Sequence, residues 1–180
     1  MAKFFDHLNE DLSTFVQEQA IFFVGTAAAE GRVNVSPKGL DTLRVLNPNQ
    51  VAWINLTGSG NETAAHLLQN SRMTLMFCSF GKRPLILRIY GQAKALHERD
   101  EAFGQYVDLF PPMKGTRQIM LLDIESVQTS CGYAVPFMEF KEERSVLTAW
   151  AENKGKEGLD AYREEKNQKS IDGFETGLLP

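Results

Sequence analysis

The chain has little of what metal centres and disulfide frameworks require. Its two cysteines, Cys78 and Cys131, are far apart and form no C-x-x-C pair. The three histidines, His7, His66 and His97, are dispersed and fit no H-x-x-x-H or H-E-x-x-H pattern. Zinc sites and disulfide scaffolds need such clusters, so we expect no metal site and a reduced, cytoplasmic protein.

Charge of one sign is also scarce, since 19 basic residues stand against 23 acidic ones and the net charge is −4. That balance gives no electrostatic reason to expect nucleic acid or an anionic membrane as a partner. No apolar run is long enough to cross a bilayer, and the first residues lack the pattern of a secretory signal. We therefore expect neither nucleic acid nor membrane as a partner.

Hydrophobic residues make up 43% of the 180 residues, which is enough for one core, and we expect a single domain over 1–180. Short β-like runs follow one another at close spacing, separated by turn residues. The predicted strands are a hairpin over Ile21–Ser36, then Leu40–Leu46, Val51–Leu56, Arg72–Phe80, Leu85–Leu96 (with Gly91 at a bulge) and Gln118–Thr129. The predicted helices are Asn9–Gln19, a segment from Ser59 to about Asn70, Arg99–Phe110 and Ser145–Lys166.

Parallel βαβ repetition is absent from this pattern. We predict a mainly β (α+β) fold, a six- to seven-stranded antiparallel split β-barrel with peripheral helices. Acidic and basic residues are equally numerous in Lys141–Lys169. Residues 141–180 are therefore predicted to form a polar helical C-terminal extension with a solvated face.

The tetrapeptide Ser36-Pro37-Lys38-Gly39 follows a strand-like run and offers groups that bind phosphate. Ser36 can donate its hydroxyl, Lys38 carries a point charge, and Gly39 lets the backbone approach a ligand closely. The same residues can also form a plain tight turn with a solvated lysine. The tetrapeptide is therefore either a phosphate clamp or a turn.

A second donor-rich segment, Thr57–Asn61, joins a predicted strand to a predicted helix. Ser59 and Glu62 fit the S-x-x-E capping box of that helix. Backbone N–H groups and the helix dipole favour an anion at such a start. The segment is neither a Walker loop nor a G-x-G-x-x-G fingerprint. Ser59 can therefore cap the helix, help to bind a ligand, or do both.

Arg88 interrupts the apolar strand run Leu85–Tyr90. An unpaired charge is costly to bury. Arg88 is therefore interpreted as a contact to an anionic or carbonyl-rich ligand, as an outward-facing residue or as a member of an ordinary salt bridge. Cys78 lies in an apolar run and is interpreted as core packing, whereas Cys131, beside Gly132, has a reactive thiol as its alternative role.

Four segments carry a resemblance to a known family. They read R-V-N-V-S-P-K-G at Arg32–Gly39, W-I-N-L-T-G-S-G-N-E-T at Trp53–Thr63, N-S-R-M-T-L-M-F at Asn70–Phe77 and R-I-Y-G-Q-A-K-A-L at Arg88–Leu96. In this order and spacing the chain resembles the pyridoxamine 5′-phosphate oxidase-related family of FMN-binding split barrels. The resemblance covers about 15–96 and extends more loosely through 130–136.

The resemblance implies a homodimer that binds FMN in clefts between its subunits, and a small-molecule substrate or electron donor. In such proteins the first strand end and the strand-to-helix junction hold the phosphate and ribityl chain, and a later strand borders the flavin. Carried over residue by residue, this implies the cofactor-binding residues Ser36, Lys38, Gly39, Asn55, Ser59, Gly60, Asn61 and Arg88.

The chain also departs from the oxidase itself. The oxidase has an R-x-x-x-x-K pattern at the first site and a Ser-Arg-Lys cluster at the second, whereas this chain has Lys38 one place later and reads Ser59-Gly60-Asn61. The oxidase's C-terminal R-x-H pattern is missing. The resemblance thus implies an FMN-dependent oxidoreductase with an unassigned substrate and unassigned catalytic residues. The alternatives are a non-catalytic or redox-sensing flavin-binding protein, or a split barrel that binds deazaflavin or haem.

Overall fold

A computed structural model describes residues 2–179, and within them the chain forms one antiparallel sheet of eight strands. The strands are β1 (Lys3–Phe5), β2 (Phe22–Thr26), β3 (Asn34–Lys38), β4 (Leu43–Asn47), β5 (Gln50–Leu56), β6 (Arg72–Cys78), β7 (Ile86–His97) and β8 (Thr116–Ser130). Their order is β3-β2-β6-β7-β8-β5-β4, and β1 pairs with β8. The predicted antiparallel split barrel is confirmed, with one strand more than the predicted six or seven, because β1 was not predicted.

Helices lie around the sheet within the same residues. They are α1 (Glu10–Gln17), α2 (Glu62–Gln69), α3 (Phe103–Val107) and α4 (Val146–Lys166). The prediction of a helix over Arg99–Phe110 is wrong in its first part, where a turn is held by the His97 N–H donating to Asp100 Oδ2 at 2.7 Å. In α4, Gly155 has φ 62° and ψ −178°, so the helix is broken into two parts at that residue.

Two apolar clusters hold the sheet together, and β5 contributes to both. Trp53 lies in the main core with α1 and with the inward residues of the neighbouring strands. Ala52 and Ile54 point to the other face, where they pack with Ile119 and Phe110. Because both faces of β5 are covered, the strand has a continuous apolar run, as is typical of strands buried on both sides.

The helix starts differ from the predicted capping. Asn9 caps α1, since its Oδ1 accepts a hydrogen bond from the Leu12 N–H at 2.9 Å. The predicted capping box of Ser59 and Glu62 is wrong, because α2 begins after Asn61 without a side-chain cap. The Glu62 carboxylate instead accepts a hydrogen bond from the Ile171 N–H in the C-terminal segment, at 3.1 Å. A tertiary contact thus replaces the local one.

This difference gives a matched pair of substitutions. We expect Asn9→Ala to lower the free energy of unfolding by about 1 kcal/mol, the usual effect of losing a side-chain cap. Ser59→Ala should change it by less than about 0.5 kcal/mol, since the exposed Ser59 caps nothing. Urea denaturation measures both. A loss of equal size in the two variants would show that Ser59 does cap α2.

Candidate functional site

The segment Ser36–Lys38 belongs to a strand and not to a turn. β3 extends to Lys38, so Ser36 and Lys38 pair with the buried Val24 and Phe22 of β2. The prediction that the strand ends at Ser36 is wrong, because β3 is an edge strand, where a proline breaks no ladder. Ser36 and Lys38 consequently share one face, and the buried Ser36 Oγ has no hydrogen-bond partner among residues 2–179.

Lys38 is a half-buried cation. Its Nζ lies 5.4 Å from the centre of the Trp53 ring, a cation–π distance. Burial, and then the nearby positive charge of Arg117, lower the pKa of Lys38 to about 8. No salt bridge to Lys38 is present in the described part of the chain. The ammonium group is thus held near a second cation without an anion to offset it.

Asn55 joins three elements at the end of the barrel. Its Nδ2 donates to Asn61 Oδ1 at 3.1 Å, in the segment before α2, and to Gln118 Oε1 at 3.0 Å, on β8. All three side chains are buried. The predicted residues Asn55 and Asn61 are therefore in direct contact, and Gln118 is a partner that the sequence did not indicate.

The buried polar atoms here are mostly donors without acceptors. Across 2–179, the side-chain atoms in this region that are buried and lack a partner are Ser36 Oγ, Trp53 Nε1, Asn61 Nδ2, Arg117 Nε and Gln118 Nε2. Nearly all buried polar groups in proteins are satisfied, and each exception calls for a cause. Four of these atoms are donors only, the Ser36 hydroxyl can donate as well as accept, and next to two cations they are complementary to an acceptor-rich anion.

A cleft of about 1090 Å³ meets this cluster through two of its lining residues, Lys38, which lies over Trp53, and Asn55, which bonds Asn61 and Gln118. Lys38, Gly39 and Asn55 line it from the barrel, and the segment Met138–Arg144, which carries both acidic and basic side chains, lines it as well. Leu40, also in the wall, has a φ of 59°, a backbone conformation that branched side chains rarely adopt and that concentrates at functional sites. The cleft is large enough for a cofactor-sized ligand.

The Thr57–Asn61 segment presents its carbonyl groups to the C-terminal part of the chain. Gly58 O accepts from Asn167 Nδ2 at 3.0 Å, and Gly60 O accepts from Arg117 Nη1 at 3.0 Å. Thr57 and Gly58 line the cleft, whereas Ser59 is exposed. The structure thus places Ser59 and Gly60 at the edge of the donor cluster, where their predicted contact with a ligand stays a prediction.

Arg88 is not brought together with the other predicted residues. It pairs across the sheet with Met76 and Gln128, and its Nη1 donates to Ser130 Oγ at 3.4 Å. It lies on the opposite face from its buried neighbours Leu87 and Ile89. A role for Arg88 next to a ligand of the same chain is not supported by this position.

Sequence reasoning missed three polar residues that shape the site. Arg117 and Gln118 begin β8, and Asn167 follows α4. An arginine in an apolar strand was a usable signal, but its partner Asn167 is 50 residues away and no local pattern indicates it. Arg32, which the family pattern retains, is tied to Asp172 by a salt bridge. Arg32 is therefore engaged outside the donor cluster.

No group of three or more histidine, cysteine or acidic side chains is placed to hold a metal ion within residues 2–179. None of the helices in that range combines the length and the apolar character needed to cross a bilayer.

The fold and the cleft define an antiparallel split-barrel protein with a cofactor-sized cleft. Residues 8–131 match the family model described as pyridoxamine 5′-phosphate oxidase. The pyridoxamine 5′-phosphate oxidase family protein ustO of Aspergillus flavus is 36% identical over 194 aligned positions, which cover 97% of this chain and 77% of that protein. The chain therefore belongs to the pyridoxamine 5′-phosphate oxidase family, as its resemblance implied.

Solved structures of lower identity share the fold. A provisionally named pyridoxamine 5′-phosphate oxidase from Lactobacillus delbrueckii is 20% identical with a TM-score of 0.56, over 68% of this chain and 94% of that one. The FAD binding protein of Mycobacterium smegmatis is 13% identical with a TM-score of 0.50, over 69% and 97%. At these identities the likeness concerns the architecture alone.

Proposed function

We propose that this protein binds FMN and serves as an FMN-dependent oxidoreductase for a small molecule. The observation that carries the proposal is the cluster of buried donors and cations beside the cleft. A phosphate group and the carbonyl oxygens of a flavin ring are acceptors of the kind that such a cluster lacks. Membership of the family and the FAD binding protein among the structural neighbours support a flavin.

The residues present fit the phosphate end of such a cofactor. Lys38 supplies a point charge, the Ser36 hydroxyl can donate a hydrogen bond, and Asn61 Nδ2 is a buried donor without an acceptor. Gly39 and Asn55 form the adjoining wall. When bound, the flavin would supply hydride or electron transfer. The chain's own part is to hold the phosphate, orient the ring and shield the cleft with Met138–Arg144; no side chain is assigned as acid or base.

The proposal includes a homodimer in which a second subunit completes the cleft. Large apolar side chains are exposed on the segment Met138–Arg144, where Met138 is 62% and Phe140 63% exposed, and just before it, where Tyr133 and Phe137 are each 81% exposed. Exposed apolar clusters of this kind mark interaction surfaces. Sedimentation equilibrium should report twice the chain mass, and a monomer at every concentration would contradict the dimer. The cytoplasmic location stays a prediction.

The absorption spectrum of the purified full chain tests the cofactor directly. We expect the bands of oxidised flavin, and release by heat should yield FMN, identified by mass spectrometry. A Soret band or a deazaflavin spectrum would instead identify one of the other ligands. A colourless protein that also fails to bind added FMN would contradict the proposal.

Turnover is a separate test on the flavin-loaded protein. Under anaerobic conditions, we expect a reduced nicotinamide or another small reductant to bleach the flavin, followed by recovery on addition of an electron acceptor. Bound flavin that no small reductant reduces would favour a non-catalytic or redox-sensing protein.

A further inference from the structure

We propose that Arg117, oriented by Asn167 from the C-terminal segment, is the second cation that binds the anionic group of the ligand. The inference rests on the proposed function and deepens it. Asn167 lies beyond residue 131, where the match to the family model ends. A part of the chain outside the family match would thus help to build the cofactor site.

Arg117 is a buried cation whose hydrogen-bond partners among residues 2–179 are neutral. Its side chain is 5% exposed. Nη1 donates to two neutral acceptors, Gly60 O at 3.0 Å and Asn167 Oδ1 at 2.6 Å, and the buried Nε has no partner among residues 2–179. A guanidinium taken out of water is stabilised by an anion in direct contact. The described residues supply none in a salt bridge with Arg117.

Lys38 is a second cation close enough to interact with Arg117, because the charge of Arg117 contributes to the lowered pKa of Lys38. The pKa of Arg117 is itself lowered to about 9, first by burial and then by the charge of Arg163. Lys38 and Arg117 are both still cations at neutral pH, so they repel each other. An anion between them would relieve the repulsion, and in its absence the arrangement is costly.

A β-bulge explains how Arg117 reaches the donor cluster. Asn55 pairs with Gln118 and Leu56 pairs with Thr116, so Arg117 is an extra residue in β8. Such bulges redirect a side chain and are frequent next to active sites. Arg117 therefore stands beside Gln118, whose Oε1 accepts from Asn55.

Asn167 fixes Arg117 without neutralising it. Asn167 is 0% exposed, and its Nδ2 donates to Gly58 O at 3.0 Å while its Oδ1 accepts from Arg117. Its backbone O accepts from Thr176 Oγ1 at 2.6 Å. One side chain thus ties both the guanidinium and the loop before α2. A carboxylate at this place would offset the charge, whereas the amide leaves it available to a ligand.

Titration of the ligand-free full chain with FMN and with riboflavin, which lacks the phosphate, tests the proposal. Arg117→Gln should weaken FMN about 10- to 100-fold, the usual effect of losing a hydrogen-bonded charge, and should leave riboflavin nearly unchanged. Arg117→Lys should restore part of the difference. The control Arg99→Gln removes an exposed cation that bonds Gly177 O and Leu178 O, and it should bind like the parent.

The ratio of the FMN affinity to the riboflavin affinity also tests whether Asn167 positions Arg117. Asn167→Asp should weaken FMN selectively, because its carboxylate would pair with Arg117, and urea denaturation checks that the variant is folded. If Arg117→Gln binds FMN like the parent, or if each variant loses FMN and riboflavin equally, the inference is overturned.

Failure of the parent protein to bind either flavin would overturn the proposed function and not, by itself, the anion site. Thermal unfolding in inorganic phosphate then decides the inference. Phosphate should raise the midpoint of the parent and of Arg99→Gln more than that of Arg117→Gln. Equal shifts in all three proteins, or no shift in any, would overturn it.

Discussion

Gly91→Ala should destabilise the protein by about 3 kcal/mol or more, at the upper end of what added core volume costs. A Cβ at Gly91 would lie 1.9 Å from the Asp123 carbonyl oxygen, an atom of the backbone that no rotamer change can move. The register of β7 on β8 shifts between Tyr90 and Gly91, so the glycine sits at the bulge. Relief of the clash requires the two central strands to part.

Gly104→Ala is the matched control for this substitution. Apart from its chain neighbours and the backbone of its own helix α3, no atom of residues 2–179 lies within 4 Å of the position that a Cβ would take at Gly104. Alanine is favoured over glycine in a helix by roughly 1 kcal/mol, so this variant should be as stable as the parent or more stable. Urea denaturation compares the two. A Gly91→Ala protein within about 0.5 kcal/mol of the parent would contradict the close approach of Asp123.

Lys38→Met should weaken FMN binding about 100-fold and at the same time stabilise the ligand-free protein. Methionine keeps a flexible apolar chain over Trp53 and removes the charge that the site holds without an anion. Because Lys38 is partly exposed, solvent screens part of its charge, and we expect a gain of about 1 kcal/mol at neutral pH. Stability and ligand binding thus oppose each other at this residue.

The pH dependence of the free energy of unfolding is an independent test of the charge on Lys38. The pKa of Lys38 is about 8 in the folded protein against an ordinary 10.5, so between these values the unfolded chain binds more protons. Its contribution to stability therefore rises with pH from about 8 to 10.5 and is lowest below 8. Lys38→Met should lack this rise, and the exposed Lys94→Met should keep it. An identical pH profile in both variants would contradict a buried, charged Lys38.

Most of the fold could be predicted from the sequence because the signals for its strands and turns are local. Alternating apolar residues and turn residues predicted the hairpin before Lys38 and the long strands around Gly91, including the bulge. β1 has three residues, too few for a periodic pattern. Pro37 suggested the end of a strand, but an edge strand tolerates it. The capping box failed because Glu62 bonds to Ile171, 109 residues away.

In the candidate site, too, residues with local signals were predicted and residues that depend on long-range contacts were not. Lys38 was predicted as a cation after a strand-like run and Asn55 from the family resemblance, and the structure places both in the lining of the cleft. Arg117 and Asn167 were not predicted, since their importance arises only where β8 meets the segment after α4. Arg88 was selected as a charge in an apolar strand, and its side chain lies on the other face of the sheet.

The most direct test of the central claim is an experimental structure of the full chain with FMN bound. We expect the phosphate within hydrogen-bond distance of Lys38 Nζ and of the Arg117 guanidinium, with Asn61 Nδ2 as a further donor. A phosphate bound elsewhere, with Lys38 and Arg117 both left without an anion, would contradict the account.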